Sequence, residues 1–173
     1  LPRSGTAFIA SFLNLHPECF CHHELAADRE DWKEYSEFLD KRWEFVGESS
    51  TYAWLPRAYR AGVTKVLIQR DPTQVKKSVH NITGQRTELD VYIRAAEAAH
   101  RWAVEGRALI IPFHELFTLD ALGKIWDHVF VGSFTPFPIE KARLALTMNT
   151  QRQDPKKAFG DAQCLRQRLL TQP

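Results

Sequence analysis

The 173-residue chain has few cysteines, almost no net charge and no long hydrophobic run. Its three cysteines are an odd number, and one residue separates Cys19 from Cys21, which argues against a disulfide framework and favours a reducing compartment. No apolar stretch approaches the ~20 residues that a membrane-spanning helix needs. We therefore expect a cytoplasmic protein without a membrane span.

The formal net charge is only +2, and the basic residues form no long run. These features argue against a nucleic-acid partner and against a membrane-surface patch. The hydrophobic fraction of 44% and the charged fraction of 25% are those of an ordinary globular domain. With no repeat and no linker, residues 1–173 are expected to form a single domain, and nothing in the sequence indicates its oligomeric state.

The chain opens with a loop that is suited to binding phosphate. Residues 2–6 read Pro-Arg-Ser-Gly-Thr, and apolar residues follow at helical spacing: Phe8, Ile9, Phe12 and Leu13. The N–H groups and dipole at a helix N-terminus attract anions, Gly5 allows close approach of the backbone, and the Ser4 and Thr6 hydroxyls can donate. Arg3 supplies a cation, because the lysine of a Walker A motif is missing. The alternative is an ordinary polar loop that caps a helix.

A second segment combines a strand, an arginine and a helix. Residues 65–69 form an apolar run typical of a buried parallel strand, and Pro72 suits the first turn of a helix. Arg70 is therefore predicted at the carboxyl end of a strand, where ligands bind in open α/β sheets. Ser78 follows two turns into the helix. The alternative for Arg70 is a surface ion pair with Asp71 or another carboxylate.

Hydrophobic periodicity predicts alternating strands and helices along most of the chain. Strands are predicted at 18–23, 43–47, 65–69 and 108–112. Helices are predicted at 6–15, 29–42, 54–61, 72–82, 88–105, 119–131, 140–148 and 158–170. This order predicts an α/β fold in three layers, α/β/α, with a mainly parallel sheet and helices on both faces.

The two segments, in this order, resemble the cofactor sites of the PAPS-dependent sulfotransferases (PAPS is 3′-phosphoadenosine 5′-phosphosulfate). The resemblance covers about residues 1–148; the family's loop usually reads Pro-Arg-Ser-Gly-Thr-Thr, and Ala7 replaces its second threonine. It implies a P-loop NTPase-like sulfotransferase fold, here lacking or truncated at its first strand. It also implies PAPS as sulfuryl donor and PAP as product. The implied cofactor-binding residues are Arg3, Ser4, Gly5, Thr6, Ala7, Arg70 and Ser78.

The stretch 13–24 is similar to a segment of the tyrosylprotein sulfotransferases whose last glutamate is the catalytic base. That glutamate falls on Glu24, and partial burial can tune a carboxylate for this role. His22 and His23 are alternative bases, because the cytosolic sulfotransferases use histidine. The resemblance thus implies Glu24, Arg3 and His23 as catalytic residues. The alternative for Glu24 is a solvated acid at the start of a helix.

The same stretch raises the question of a metal site. Its Cys-x-Cys-His-His order departs from the Cys-x₂₋₄-Cys spacing of zinc sites, and no second pair of ligands follows. On an extended strand Cys19, Cys21 and His23 share one face, whereas Phe20, His22 and Glu24 share the other. We therefore predict core packing for the cysteines and no metal.

The predicted reaction is sulfuryl transfer from PAPS to a hydroxyl or amine of a carbohydrate, small molecule or tyrosine. Ser49, predicted in a loop with Glu48 and Ser50, stands where many family members have a lysine, which in some of them contacts the sulfuryl group. One alternative is therefore a catalytically inactive module that binds PAPS or PAP. A P-loop small-molecule kinase is a weaker alternative, because the Walker lysine is missing.

Overall fold

The computed structural model describes residues 5–23, 37, 41–49 and 63–147, apart from the side chain of residue 82. These residues contain five helices and four strands. In chain order they are α1 (Thr6–Leu13), β1 (Cys19–His23), β2 (Phe45–Ser49), β3 (Val66–Gln69), α2 (Pro72–Thr83), α3 (Leu89–Glu105), β4 (Leu109–Pro112), α4 (Leu119–Val129) and α5 (Ile139–Thr147). The predicted helices at 54–61 and 158–170 lie outside the described residues, as does most of the helix predicted at 29–42.

The four strands form two parallel pairs. In the first pair the register runs from Cys19 opposite Phe45 to His23 opposite Ser49. In the second pair β3 lies parallel to β4, and α2 and α3 provide the crossover connection that a parallel pair needs. A mixed α/β chain with parallel strands is therefore confirmed. Each described strand pairs with one neighbour only, so the described strands form two two-stranded sheets.

The second strand lies two residues further along the chain than predicted. The prediction was 43–47, whereas β2 spans Phe45–Ser49. Its position follows from its partner, because the Phe45 N–H donates to the Glu18 carbonyl (3.0 Å) and pairing then continues to the end of β1. The prediction that Glu48 and Ser49 lie in a loop was therefore wrong: both belong to the strand.

Asn14 explains why α1 ends at Leu13 rather than at the predicted residue 15. Its side-chain Oδ1 accepts the Cys21 N–H (2.8 Å), and its Nδ2 donates to the carbonyls of Cys21 and Ala10 (both 2.8 Å). One amide thus satisfies both backbone groups of Cys21, as a neighbouring strand would. The helix ends at Leu13, and the side chain of the next residue forms hydrogen bonds with the backbone of β1.

One hydrophobic core joins helices and strands from both halves of the described chain. The predicted apolar face of α1 is buried in it, and Phe12 contacts Trp126 of α4 edge-on at 5.7 Å between ring centroids. β1 and β4 contribute Cys21 and Ile111 to the same core. A smaller cluster, formed by Val75, Val79 and Tyr92, packs α2 against α3. No helix in the described part of the chain has the length and apolarity needed to cross a membrane.

The two cysteines of β1 lie in the core, which confirms their predicted packing role. They are 6% and 7% exposed, and burial raises the pKa of Cys19 to about 12 and that of Cys21 well above its ordinary value. The reactive thiolate is therefore scarce at neutral pH. In a Cys164→Ser variant, we expect alkylation by iodoacetamide at least ~100-fold slower in the native protein than in urea. Native and unfolded rates within tenfold of each other would contradict this.

Candidate anion-binding site

The N-terminus of α1 presents backbone donors behind a left-handed glycine. Gly5 is the N-cap residue, at φ 80° and ψ 16°, and the first intrahelical bond runs from the Ile9 N–H to its carbonyl (3.0 Å). The N–H groups of Thr6, Ala7 and Phe8 precede that bond, as at any helix start. The first turn contains no acidic residue. The positive end of the helix dipole is therefore not offset by a side chain of that turn.

Two strands hold the first residue of α1. A hydrogen bond of 2.9 Å joins Thr6 Oγ1 to His23 Nε2, and the Ser49 hydroxyl donates to the Thr6 carbonyl oxygen at 2.8 Å. His23 and Ser49 lie opposite each other at the last register position of β1 and β2. We refer to Thr6, His23 and Ser49 as the Thr6 cluster. Through it, the N-terminus of α1 is fixed at the carboxyl ends of two parallel strands.

Arg70 follows the last residue of β3, as predicted. Its guanidinium carbon lies 4.1 Å from the centroid of the Phe113 ring, in cation–π geometry. The Asp71 carboxylate accepts the Gln74 N–H (3.0 Å) and caps α2, which begins with Pro72. The neighbouring carboxylate thus acts as a helix cap, whereas the arginine stacks on an aromatic ring. Ser78 is half-buried in α2, two turns further on.

A line of aromatic contacts connects the start of α1 with Arg70. Phe8, in the first turn of α1, contacts Phe117 at 5.2 Å between ring centroids, and Phe117 contacts Phe113 edge-on at 5.5 Å. The Arg70 guanidinium in turn lies over the ring of Phe113. We refer to Phe8, Phe117 and Phe113 as the aromatic bridge.

The structure brings together only part of the predicted site. Gly5, Thr6 and His23 lie together, and the Ala7 carbonyl accepts the Ser11 hydroxyl (2.9 Å) within α1. Arg70 and Ser78 belong to the separate β3–α2 unit. Three predicted site residues lie outside the described ranges: Arg3, Ser4 and Glu24.

The sequence interpretation missed three residues that support the site. Ser49 was predicted in a loop, yet it ends β2 and binds the backbone of α1. No role at the site was assigned to Phe113 or Phe117, because no motif indicates that an arginine side chain lies over an aromatic ring. The available signal was the presence of two phenylalanines, Phe113 and Phe117, directly after a short apolar strand.

The cysteines and histidines of β1, which are potential metal ligands, are divided between two faces of the strand. Cys19 and Cys21 are buried in the core, whereas the His22 ring contacts that of Phe20 edge-on at 4.4 Å. His23 is exposed and bonded to Thr6. Within the described ranges, no three potential ligands come together as a metal site.

Gly5→Ala is expected to lower the free energy of unfolding by about 1–2 kcal/mol, because a Cβ is unfavourable at positive φ. It should also weaken binding of inorganic phosphate, because relieving the strain turns the N–H groups of α1 away from the anion. Gly84→Ala is the matched control: Gly84 ends α2 at φ 70° with open space around it. Urea denaturation and phosphate titration measure both effects. Equal loss of phosphate affinity in the two variants would contradict the assignment.

Comparison with known proteins found no match for this chain among protein-family models, curated proteins or solved structures. The resemblance to the sulfotransferases stays a prediction that rests on the two sequence motifs.

Proposed function

We propose that this chain is a PAPS-dependent sulfotransferase domain. The Thr6 cluster is the observation that carries the proposal. It holds a helix N-terminus, preceded by a left-handed glycine, at the carboxyl ends of two parallel strands. Phosphate groups bind at this kind of position in α/β proteins. The arrangement supports residues 2–6 as the loop for the 5′-phosphate.

In this proposal the two parallel pairs belong to one sheet of a three-layer, P-loop-type sulfotransferase fold. Support comes from their common core, to which β1 contributes Cys19 and Cys21 and β4 contributes Ile111. Helix α1 packs on the first pair, whereas α3 packs on β3 and α4 on β4. Shared packing of this kind is expected when two sheets are parts of a single layer.

The donor groups fit a ligand with two phosphates. Backbone N–H groups and the Thr6 hydroxyl at α1 would bind the 5′-phosphate, together with Arg3 and Ser4. Arg70 and Ser78 would bind the 3′-phosphate. A guanidinium can donate to two phosphate oxygens at once, so an arginine held in a fixed plane suits this role. Both phosphates of PAPS are attached to the same ribose.

The transfer itself requires a base and a stabilised leaving oxygen. The acceptor oxygen forms a bond to sulfur while the bond between sulfur and the 5′-phosphate oxygen breaks, and that oxygen keeps the electron pair, which gives PAP. The proton of the acceptor hydroxyl passes to the Glu24 carboxylate. The α1 N-terminus and Arg3 stabilise the charge on the leaving oxygen. His23 is the alternative base, since its Nε2 lies beside the first residue of α1.

One observation favours a second candidate, a module that binds PAPS or PAP without transfer. Ser49 stands where many sulfotransferases have a lysine, which in some of them contacts the sulfuryl group, and the Ser49 hydroxyl donates to the backbone of α1. The Ser49 side chain therefore helps to hold α1 in position. In a binding module the phosphate contacts remain, but Glu24 has no catalytic role.

Glu24→Gln separates the two candidates. In a sulfotransferase we expect PAP affinity to stay within about threefold, and PAP release in the presence of PAPS and a panel of acceptors to fall by about 10²–10⁴. Glu18→Gln is the matched control, since Glu18 is an exposed acid of the same stretch. PAP binding without transfer by the native chain would favour the binding module. Failure of the native chain to bind PAP would overturn both.

A further inference from the structure

We propose that the aromatic bridge sets the distance between the two anion sites and so selects a ligand with two phosphates on one ribose over a monophosphate. This inference rests on the proposed function and names positioning residues for it. Phe113 and Phe117 touch no ligand in this view. They hold Arg70 at the spacing from α1 that a 3′,5′-bisphosphate requires.

The two anion sites belong to strand pairs that share no backbone ladder among the described residues. Thr6 is bonded to the β1–β2 pair, whereas Arg70 continues directly from β3. Among the described residues, side-chain packing therefore links one site to the other. The aromatic bridge runs from one site to the other, from the first turn of α1 to the guanidinium.

Both ends of the bridge are firmly held. Phe8 is 1% exposed and lies in the main core, so its ring has little freedom to move. At the other end, the Phe113 N–H donates to the carbonyl of Gln69, the residue before Arg70, at 2.7 Å. The ring of Phe113 is thus tied through its own backbone to the strand that carries the arginine. Phe117 joins the two ends through its tilted and edge-on contacts.

The ring of Phe113 also restrains the arginine. A free arginine side chain samples many rotamers, and ordering it on binding costs affinity. Stacking at 4.1 Å over the ring keeps the guanidinium near one plane before a ligand arrives. Two phosphates on one ribose then engage both sites at once, with a high effective concentration at the second site. A monophosphate bound at α1 gains nothing from this spacing.

The test is the ratio of the dissociation constants for AMP and PAP, because AMP lacks the 3′-phosphate. Phe113→Leu and Phe117→Leu are expected to weaken PAP binding about tenfold and to leave AMP binding within about twofold. Phe113→Tyr keeps the aromatic face and should keep the native ratio. Isothermal titration calorimetry measures both ligands, and thermal melting checks that each variant is folded.

Two phenylalanines outside the bridge are matched controls. Phe137 contacts Phe12 and Trp126, so Phe137→Leu loosens the packing of α1 without touching the bridge. Phe134 is fully exposed, and Phe134→Leu removes a ring from the surface. Both variants are expected to keep the native ratio, even where Phe137→Leu lowers the melting temperature.

The outcomes separate this inference from the proposed function. A native chain that binds PAP no better than AMP overturns the proposed function, and this inference with it. A native preference for PAP that survives in Phe113→Leu and Phe117→Leu overturns the inference alone. An equal fall in the ratio of the AMP and PAP dissociation constants in Phe137→Leu also overturns the inference, because general loosening of the core would then account for the effect.

Discussion

Arg70→Ala is expected to weaken PAP binding about a hundredfold and to change AMP binding by less than about threefold. The side chain stacks on Phe113 at the carboxyl end of β3, where a guanidinium can donate to two oxygens of the 3′-phosphate. Its removal takes away the charge and the paired donors together. AMP offers no phosphate to this residue, so its affinity depends on α1 instead. Calorimetric titration of both nucleotides measures the difference.

Two variants make the Arg70 result interpretable. Arg70→Lys keeps the charge but loses the planar fork, and we expect it to recover only part of the PAP affinity. Arg101→Ala removes an exposed arginine beside Trp102, whose ring lies 5.0 Å from Nζ of Lys65 at the opposite end of β3. It should leave both affinities unchanged. A hundredfold loss of affinity for both PAP and AMP would contradict the assignment of Arg70 to the 3′-phosphate.

His16→Ala is expected to lower the free energy of unfolding by about 3 kcal/mol. The imidazole is 2% exposed, stacks on Phe130 at 4.3 Å and contacts the rings of Phe45 and Trp126. Its Nδ1 accepts the Glu18 N–H (3.1 Å), so the ring proton is on Nε2, which donates to Ser133 Oγ (2.8 Å). Truncation leaves a cavity and two polar groups without their partner. Urea denaturation measures the loss.

The buried imidazole also makes stability depend on pH. Burial lowers the pKa of His16 below 6.5, although Glu44 and Glu18 partly oppose this effect. The unfolded chain therefore takes up this proton at a higher pH than the folded chain. The contribution of His16 to stability is complete above about pH 6.5 and decreases as the pH falls below it.

Comparison of urea denaturation at about pH 7.5 and pH 5.5 isolates this effect. His16→Asn keeps an acceptor for the Glu18 N–H but does not titrate, so its acid-induced loss should be smaller than that of the native chain. His100→Ala, which removes an exposed histidine of α3, should retain the full native loss. An acid-induced loss as large in His16→Asn as in the native chain would contradict the assignment.

Features that depend on local sequence were predicted well. The apolar face of α1 repeats at helical spacing, and the structure buries it. The place of Arg70 after a strand also follows from neighbouring residues. In each case the residues that decide the conformation lie within a few positions of one another.

Features that depend on distant partners were not predicted. The ends of β2 follow from its pairing with β1, so Ser49 was assigned to a loop rather than to the Thr6 cluster. The burial of His16 was not predicted, because its aromatic partners Phe45, Trp126 and Phe130 lie far along the chain. The pairing of the described strands likewise depends on partners that lie far apart in the sequence. Hydrophobic periodicity describes one helix or strand at a time. It contains no information about which strands pair or which distant side chains come into contact.

Calorimetric titration of the native chain with PAP, AMP and ATP tests the central proposal most directly. If α1 and Arg70 form the two ends of a bisphosphate site, PAP binds at least about tenfold more tightly than AMP, and ATP does not match it. A chain that binds ATP as tightly as PAP, or more tightly, would contradict the sulfotransferase proposal and favour a nucleotide triphosphate as its ligand.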